Sequence, residues 1–151
     1  MKNEKMKRIS IIALLVTVLC STACAARGKQ PLAFTALPQA VQDSVLLYYT
    51  ADQVQFSTGE KIMPKQFEYE LRIDDGTKMQ YNQRAVLEKI SNKAGVKEAF
   101  IPAGIMQYVR ETFPNAVITE FKRSPMKQEV ELNNDLELVF NKRGQFLRID
   151  D

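Results

Sequence analysis

Hydrophobic and charged residues alternate with a period of two between residues 67 and 73. Such alternation is typical of a β-strand that has one face in a hydrophobic core and the other in water. Residues 74–77 follow and contain an Asp-Gly pair, which supplies the positive φ angles of a tight reversal. Met79 and Tyr81 then occupy inward positions of a return strand, and residues 86–90 are predicted to form a third strand. The inward set of the first strand is Phe67, Tyr69, Leu71 and Ile73, and its outward set is Glu68, Glu70 and Arg72.

Two other segments have apolar residues at helical spacing, and each begins with an apolar residue followed by proline. Leu37-Pro38 begins the first segment and Ile101-Pro102 the second, which ends at Pro114. Proline is favoured at the start of a helix because its missing N–H group has no intrahelical partner there. Of the two adjacent tyrosines, Tyr49 takes a core position, so Tyr48 is predicted to face outward. The apolar stripes are Val41, Val45, Tyr48 and Tyr49 in the first helix and Ile105, Val109 and Phe113 in the second.

Further strands are predicted before and after these elements. Residues 53–57 alternate, with Val54 and Phe56 on one side, and a loop is predicted over residues 58–65. After the second helix, the pattern predicts a strand over 117–122 and a hairpin whose turn covers residues 133–135. Val130 and Leu132 face inward before this turn, and Leu136, Leu138 and Phe140 face inward after it. A turn over 142–144 and a strand over 146–149 follow.

The two halves of the chain carry matching apolar positions. Leu71 aligns with Leu132 at an offset of 61, and the segment from Met79 aligns with the segment from Leu138 at an offset of 59. The offset falls only across predicted loops, whose lengths vary more than cores do. A chance match of short apolar segments is the alternative, but the shared register of the two prolines favours a repeat. The helical residues that align at an offset of 64 are Leu37, Pro38, Val41, Val45 and Tyr49 with Ile101, Pro102, Ile105, Val109 and Phe113.

The pattern predicts an α+β fold built from two tandem helix-plus-antiparallel-hairpin repeats. The repeats cover residues 37–90 and 101–151 and are joined by a linker over 91–100. Their hairpins are expected to form one antiparallel sheet with both helices packed on one face. The other face has no core role and is therefore a candidate binding face, with Val139 as its one apolar member. Its predicted residues are Glu68, Glu70, Arg72, Lys78, Gln80, Glu129, Glu131, Glu137 and Gln145.

The N-terminus has the three parts of a secretory signal peptide. An apolar core over residues 9–20 is followed by small residues at Ala23 and Ala25. This core is too short to cross a bilayer, which needs about 20 apolar residues. We therefore predict a signal peptide over residues 1–25 and export to the periplasm or cell envelope. The basic residues that precede the apolar core are Lys2, Lys5, Lys7 and Arg8.

Two ways of processing this N-terminus stay open. Ordinary cleavage before Ala26 would leave residues 26–36 as a tether. Alternatively, Cys24 lies in a loose lipobox and would become a lipidated first residue, although a lipobox usually has Leu where this chain has Ser21. Membrane attachment is expected only in the second case, because no later apolar run is long enough to span a bilayer.

Charge and cysteine content narrow the classes of function. Residues 1–25 hold four of the 21 basic and one of the 18 acidic residues, so 17 of each remain after cleavage. A neutral domain does not favour nucleic-acid binding, which needs a clustered positive surface. Both cysteines fall within residues 1–25, so no disulfide is expected. The remaining length of about 125 residues suits one domain with its own core.

The residue types required by common active sites are largely missing. The chain has no histidine, which excludes Ser-His-Asp and Cys-His sites and the usual zinc ligand sets. The pairs Glu68/Glu70 and Glu129/Glu131 each share a strand face, as in a glycosidase pair, but a solvated strand face explains them better. Asp74-Asp75-Gly76 lacks the spacing of a calcium loop. We therefore expect no cofactor, no metal and no enzymatic activity.

The strand and turn motifs resemble those of the β-lactamase-inhibitor-like, PepSY-like family of secreted bacterial proteins. The resemblance covers nearly all of residues 37–151 and implies tandem helix-and-sheet units, a periplasmic or surface location in Gram-negative bacteria, and no established catalysis. Residues 83–85 lack a usual glycine and residues 133–135 replace Asp-Gly, which alters turns but not the core. The motifs are Tyr69-Glu70-Leu71-x-x-Asp74-Asp75-Gly76, Met79-x-Tyr81-Asn82, Glu129-Val130-Glu131-Leu132, Leu138-x-Phe140-Asn141-x-x-Gly144 and Asp150-Asp151.

Three functional hypotheses follow. The first is a non-catalytic module that binds or inhibits an unknown exported or envelope protein through the polar sheet face. The second is a structural envelope protein that assembles with itself through a sheet edge. The third is a hydrolase that uses a carboxylate pair. No inhibitory residue is matched, and a fold alone does not establish a function.

Overall fold

The computed structural model describes residues 28–63 and 66–150 of the chain. The predicted signal peptide, with Cys24, lies outside the described residues. Two helices, α1 (Gln39–Leu46) and α2 (Ala103–Thr112), accompany a nine-stranded sheet in which every pairing is antiparallel and each strand pairs with its neighbours in sequence. The strands are β1 (Gln30–Pro31), β2 (Val54–Met63), β3 (Gln66–Ile73), β4 (Lys78–Asn82), β5 (Leu87–Ser91), β6 (Ile118–Arg123), β7 (Lys127–Leu132), β8 (Glu137–Asn141) and β9 (Phe146–Asp150).

Both helices pack on one side of the sheet, which we call the inner face. The Ser44 hydroxyl of α1 lies 3.1 Å from the Tyr81 hydroxyl on β4, and the Tyr108 ring of α2 packs edge-on against Phe140 on β8. The predicted α+β fold with one antiparallel sheet is confirmed. The fully buried residues between helices and sheet include Val41, Val45, Leu71, Met79, Ile105, Val130, Leu138 and Phe140.

The predicted outward position of Tyr48 is confirmed. The Tyr48 side chain is 40% exposed, whereas Tyr49 is 4% exposed and lies in the core. The Tyr49 hydroxyl lies 3.1 Å from the Thr77 hydroxyl, and the Lys97 ammonium lies 3.7 Å from the centre of the Tyr49 ring. Burial raises the pKa of Tyr49, so the phenol stays neutral in the core.

The prediction of a loop over residues 58–65 was wrong, because β2 continues as a ten-residue strand to Met63. Apolar alternation stops after Phe56, which is why the pattern suggested a loop. The continuation contains Ser57, Thr58 and Gly59, all three buried by their neighbours. Small polar residues can continue a strand where a neighbouring strand pairs with it, as β1 does here.

The prediction of a tether over residues 26–36 was wrong for residues 28–36, which the structure describes. Residues of β1 pair with β2, and the Leu32 N–H donates to the Ser57 carbonyl at 2.9 Å. The Ser57 hydroxyl in turn donates to the Leu32 carbonyl at 2.5 Å. Leu32 and Phe34 pack against the core, so this segment is part of the folded domain.

Two β-bulges change which side chains face the core. The register of β2 shifts between Val54 and Phe56, which places Phe56 opposite Arg72 and away from the helices. The prediction that Val54 and Phe56 share a side was therefore wrong. β6 shifts in the same way between Ile118 and Glu120. A bulge adds one residue to one strand, so the residues on its two sides no longer follow simple alternation.

The turns at the ends of β4 and β8 have the same geometry. The Asn82 side-chain oxygen accepts backbone N–H groups two and four residues later, at 2.9 and 3.1 Å, and Asn141 does the same at the same distances. Ala85 adopts a φ of 59° where Gly144 has 79°. Alanine thus holds a left-handed position that glycine adopts with less strain, and the turn keeps its hydrogen bonds.

Candidate binding face

The sheet face opposite the two helices, which we call the outer face, holds eight of the nine residues predicted as a binding face. Residues directly opposite one another on paired strands point to the same face. Gln145 is the exception, because it lies in the turn between β8 and β9, where its side-chain oxygen accepts from the Asn141 amide at 2.8 Å. The eight residues on outer-face strand positions are Glu68, Glu70, Arg72, Lys78, Gln80, Glu129, Glu131 and Glu137.

Cross-strand pairing arranges the outer face into two rows that each cross eight strands, from β2 to β9. The central row is Thr58, Glu70, Gln80, Lys89, Lys122, Glu129, Val139 and Arg148. The neighbouring acidic row is Phe56, Arg72, Lys78, Ser91, Glu120, Glu131, Glu137 and Asp150.

The acidic row places four carboxylates on adjacent strands, an arrangement that repels itself unless cations lie nearby. Lys89 contacts Glu120 at 2.8 Å, and Lys122 contacts Glu120 at 3.1 Å and Glu137 at 3.8 Å. Burial lowers the pKa of Lys122, but the carboxylates of Glu120, Glu137 and Glu129 outweigh it and raise this pKa overall. The lysines of the central row therefore hold the acidic row together.

Other carboxylates of the outer face are also paired. Glu70 forms ion pairs with Lys29, from the segment before β1, and with Arg72 at 3.4 Å. Arg148 donates two hydrogen bonds to Asp150, at 2.6 and 2.8 Å. Paired charges on an exposed sheet face are individually weak, but together they fix the positions of the charges that a partner would meet.

Two apolar residues lie among these charges. Val139 is fully buried although it faces away from the helices, since it lies between Glu129 and Arg148 and the alkyl stems of long charged side chains cover apolar surface. Phe56 is 41% exposed, and the Arg72 guanidinium lies 5.7 Å from the centre of its ring. The outer face is therefore charged over most of its area, with one aromatic ring at the β2 end.

Sequence reasoning missed several members of the outer face. Lys89 alternates with the core residue Ile90, and Glu120 and Lys122 flank the core residue Phe121. Continuing the period-two alternation through β5 and β6 would have found all three. Phe56 could not be found in this way, because only the bulge in β2 turns it outward.

Glu68 and Glu70 lie two residues apart on β3 but have pKa shifts of opposite direction. The hydrogen bond from Lys29 is the largest cause that lowers the pKa of Glu70, with further lowering from Arg72. Burial raises the pKa of Glu68, and the neighbouring carboxylates of Glu88 and Glu60 raise it further. A carboxyl with a lowered pKa stabilises the fold when ionised, and one with a raised pKa stabilises it when protonated.

We expect Glu70→Gln to lower and Glu68→Gln to raise the free energy of unfolding at pH 7, each by about 0.5 kcal/mol or less after allowance for solvent screening. The Glu70 contribution is present above the unfolded pKa and is lost as pH falls through the lower folded pKa. The Glu68 carboxylate disfavours the fold at pH 7, and this penalty begins to shrink as pH falls through the raised folded pKa and is gone below the unfolded pKa. Urea titrations at pH 7 and pH 3 check this, and each variant serves as the control for the other. Shifts of the same sign at pH 7 would contradict the assignment.

A small hollow lies beside these glutamates. Its volume is about 20 Å³, which accommodates roughly one water molecule. Among the described residues, no three acidic or cysteine side chains lie close enough together to hold a metal ion. In the Asp-Asp-Gly turn, the Asp75 carboxylate accepts the Thr77 N–H at 2.8 Å. Neither of the two helices in residues 28–63 and 66–150 has the length and apolar character of a membrane span.

Solved structures with the same fold come from Bacteroides. A protein of Bacteroides thetaiotaomicron described as a "putative calcium-regulated periplasmic protein" is 27% identical, with a TM-score of 0.75 over 82% of this chain and 97% of that chain. Two proteins of Bacteroides vulgatus, described as a "putative periplasmic protein from DUF2874 family" and a "putative periplasmic protein of unknown function", are 22% and 23% identical. Both have TM-scores of 0.75, over 83% and 82% of this chain and 99% and 100% of their own chains. No curated relative matches the chain.

The sequence also matches a family model twice. The matched residues are 25–89 and 67–148, so the two matches overlap in β3 to β5 and together cover both helices and every strand except the last two residues of β9. The description of the family is "Putative beta-lactamase-inhibitor-like, PepSY-like". This coverage confirms the resemblance seen in the strand and turn motifs, and the chain belongs to the β-lactamase-inhibitor-like, PepSY-like family.

Proposed function

We propose that this protein is exported to the bacterial periplasm or envelope and there binds another protein, without catalysis, through the outer face. The observation that carries this proposal is the pair of charged rows that cross eight strands opposite the helices. The periplasmic descriptions of the solved relatives support the location. Export by the signal peptide over residues 1–25 forms part of the proposal, and lipidation of Cys24 is the alternative to cleavage before Ala26.

The charge arrangement of the outer face suits recognition of a protein surface. Arg72 and Lys78 lie at the β3–β4 end of the acidic row, and the carboxylates occupy its β6–β9 end. A partner with the opposite order of charges would bind in one orientation only, because reversed docking would bring like charges together. The fixed ion pairs of Lys89 and Lys122 lower the conformational entropy lost on binding.

We also infer that the domain consists of two tandem units. The bulges in β2 and β6 occur at an offset of 64 residues, and the asparagine-capped turns after β4 and β8 at an offset of 59. These offsets equal those of the sequence match. The double match of the family model supports the same inference.

The experiment reverses two charges that make no ion pair with other described residues, Lys78 and Glu131. The Lys78→Glu/Glu131→Lys variant keeps the net charge and is expected to melt within about 3 °C of the wild type, because no fixed pair is broken. Capture of the partner from envelope extract, read by mass spectrometry, should fall by about tenfold or more if both charges face the partner.

A matched control reverses two exposed charges away from the outer-face strands, with Asp43→Lys/Lys93→Glu. This control should capture the partner like the wild type. Equal capture by the outer-face variant and the wild type would rule out the outer face as the interface.

Self-association is the second candidate, and the edge strand β9 favours it. Among the described strands, β9 pairs only with β8, and Leu147 and Ile149 on it are 54% and 45% exposed. An unpaired edge with exposed apolar side chains is a template for pairing with another chain. Recovery of further copies of this chain alone in the capture experiment would support this candidate instead.

A further inference from the structure

The backbone of the edge strand β9 has hydrogen-bonding groups that point away from β8. In an antiparallel sheet, successive residues of a strand direct their N–H and C=O groups alternately to the two neighbouring strands. The Asn141 N–H donates to the Gln145 carbonyl, on the β9 side, so every second residue of β8 counted back from Asn141 faces β9, and Leu138 faces β7. Ile149 lies opposite Leu138. The N–H and C=O groups of Ile149 therefore point to the free edge of the sheet.

The side chains at this edge include two exposed apolar ones. Ile149 is 45% exposed and lies on the inner face, since its cross-strand partner Leu138 is a core residue. Leu147 is 54% exposed and is the extra residue of a β-bulge, because β9 shifts its register against β8 at this point. A bulge turns an edge away from further pairing, so the part of β9 that is open to another strand is residues 148–150.

Charges of opposite sign flank Ile149 on the outer face. Arg148 donates two hydrogen bonds to Asp150, at 2.6 and 2.8 Å, and these side chains are 54% and 38% exposed. A second β9 that runs antiparallel, with Ile149 opposite its own copy, places each Arg148 opposite Asp150 of the other strand. Centring the pair on Arg148 or on Asp150 instead would bring like charges together. The charge order of this strand is therefore complementary to itself in one register.

We propose that β9 pairs with β9 of a second copy of this chain, antiparallel and with Ile149 on the two-fold axis. The N–H and C=O groups of the two Ile149 residues then form two hydrogen bonds with each other, and their side chains pack together on the inner face. Around them, Arg148 and Asp150 of the two copies form a ring of four alternating charges. This self-complementarity favours a second copy over an unrelated strand, because an isologous contact must match itself.

The dimer has one continuous sheet. A two-fold axis perpendicular to the sheet keeps the outer faces of both copies on the same side, so their charged rows meet at the two β9 strands. The contact is short, since residues 148–150 of each strand form it, and we expect a weak dimer of the size class below about 1,200 Å². This inference develops the self-association candidate and does not depend on the binding of another protein by the outer face.

Sedimentation of the mature chain, residues 26–151, at about 10 µM to 1 mM measures this association. We expect the average mass to rise towards that of a dimer across this range. Hydrogen exchange followed by NMR should show the Ile149 N–H protected at high concentration and unprotected on dilution, because its hydrogen bond forms only in the dimer. A monomer at the highest concentration, or exchange of the Ile149 N–H that is independent of concentration, would overturn the proposal.

Charge substitutions test the register. Arg148→Asp and Asp150→Arg each place like charges opposite one another twice in the dimer and should raise its dissociation constant about tenfold or more. The double variant Arg148→Asp/Asp150→Arg restores opposite charges and should dimerise like the wild type, as should an equimolar mixture of the two single variants. Arg84→Asp, in the exposed β4–β5 turn, is the matched control and should have no effect. Unchanged dimerisation of both single variants would rule out this register.

Ile149→Lys separates this proposal from the outer face. It places two lysines side by side on the two-fold axis and should leave the chain monomeric, with a melting temperature within about 3 °C of the wild type, because the side chain lies at the edge. It changes no charge of the outer face, so capture of an outer-face partner should be unaffected, and Lys78→Glu/Glu131→Lys should dimerise normally. A chain that stays monomeric but captures a different protein, with loss of that capture in Ile149→Lys, would overturn the second copy as the occupant of this edge.

Discussion

Replacing Phe140 by alanine is expected to lower the free energy of unfolding by about 3–5 kcal/mol. The Phe140 ring is fully buried at the centre of the second hairpin. It packs edge-on against Tyr108 of α2, with ring centres 5.5 Å apart, and against Phe146 of β9 at 5.8 Å. Truncation removes this burial and leaves a cavity between the helix and two strands that cannot close without moving the backbone. Urea unfolding followed by circular dichroism measures the loss.

Phe56→Ala is the matched control, because it removes the same side chain from the outer face. Phe56 is 41% exposed, so its truncation should cost about 1 kcal/mol or less, including its contact with Arg72. Equal losses at the two positions would mean that the bulge in β2 does not turn Phe56 away from the core. The pair therefore tests the register of β2 as well as the packing of the second hairpin.

The difference between these two phenylalanines marks how far the sequence could predict the fold. Alternation correctly places Leu71, Met79 and Phe140 in the core, because unbroken strands keep a period of two. It fails at Phe56, since a bulge shifts the period by one residue and leaves no signal in the hydrophobic pattern. The described part of the predicted tether fails for a related reason, because Gln30–Pro31 is too short to show alternation.

The candidate sites divide in the same way. Glu70, Glu131 and most of the outer face could be predicted from the sequence, because in a strand without a bulge successive residues alternate between the two faces. The ion pairs could not be predicted, since they depend on which strands become neighbours, as the pair of Lys89 and Glu120 shows. The hydrogen bonds from Gln128 on β7 to the Asn141 and Lys142 carbonyls were also not predictable, because a strand and the β8–β9 turn meet only through the tertiary fold.

Replacing Gly95 by alanine is the second substitution with a large expected effect, about 2–3 kcal/mol of lost stability. Gly95 has a φ of 119°, a conformation that residues with a Cβ rarely adopt, and an added Cβ would lie 2.8 Å from Cγ1 of Val117. The turn cannot easily move, because its N–H donates to the Asn92 carbonyl at 2.9 Å and the next N–H donates to the Ile118 carbonyl at 2.8 Å. Strain and steric overlap therefore act together at this position.

A second variant separates the two causes. Val117 is 42% exposed, so Val117→Ala alone should change stability by less than about 1 kcal/mol. The double variant Gly95→Ala/Val117→Ala removes the overlapping methyl group and should recover part of the loss, with about 1–2 kcal/mol of backbone strain remaining. Gly104→Ala is the matched control, because it lies in the first turn of α2 with no contact closer than 4.0 Å and should stabilise the protein slightly. If the double variant were as unstable as Gly95→Ala, the backbone conformation alone would account for the loss, and the approach of Gly95 to Val117 would carry none of it.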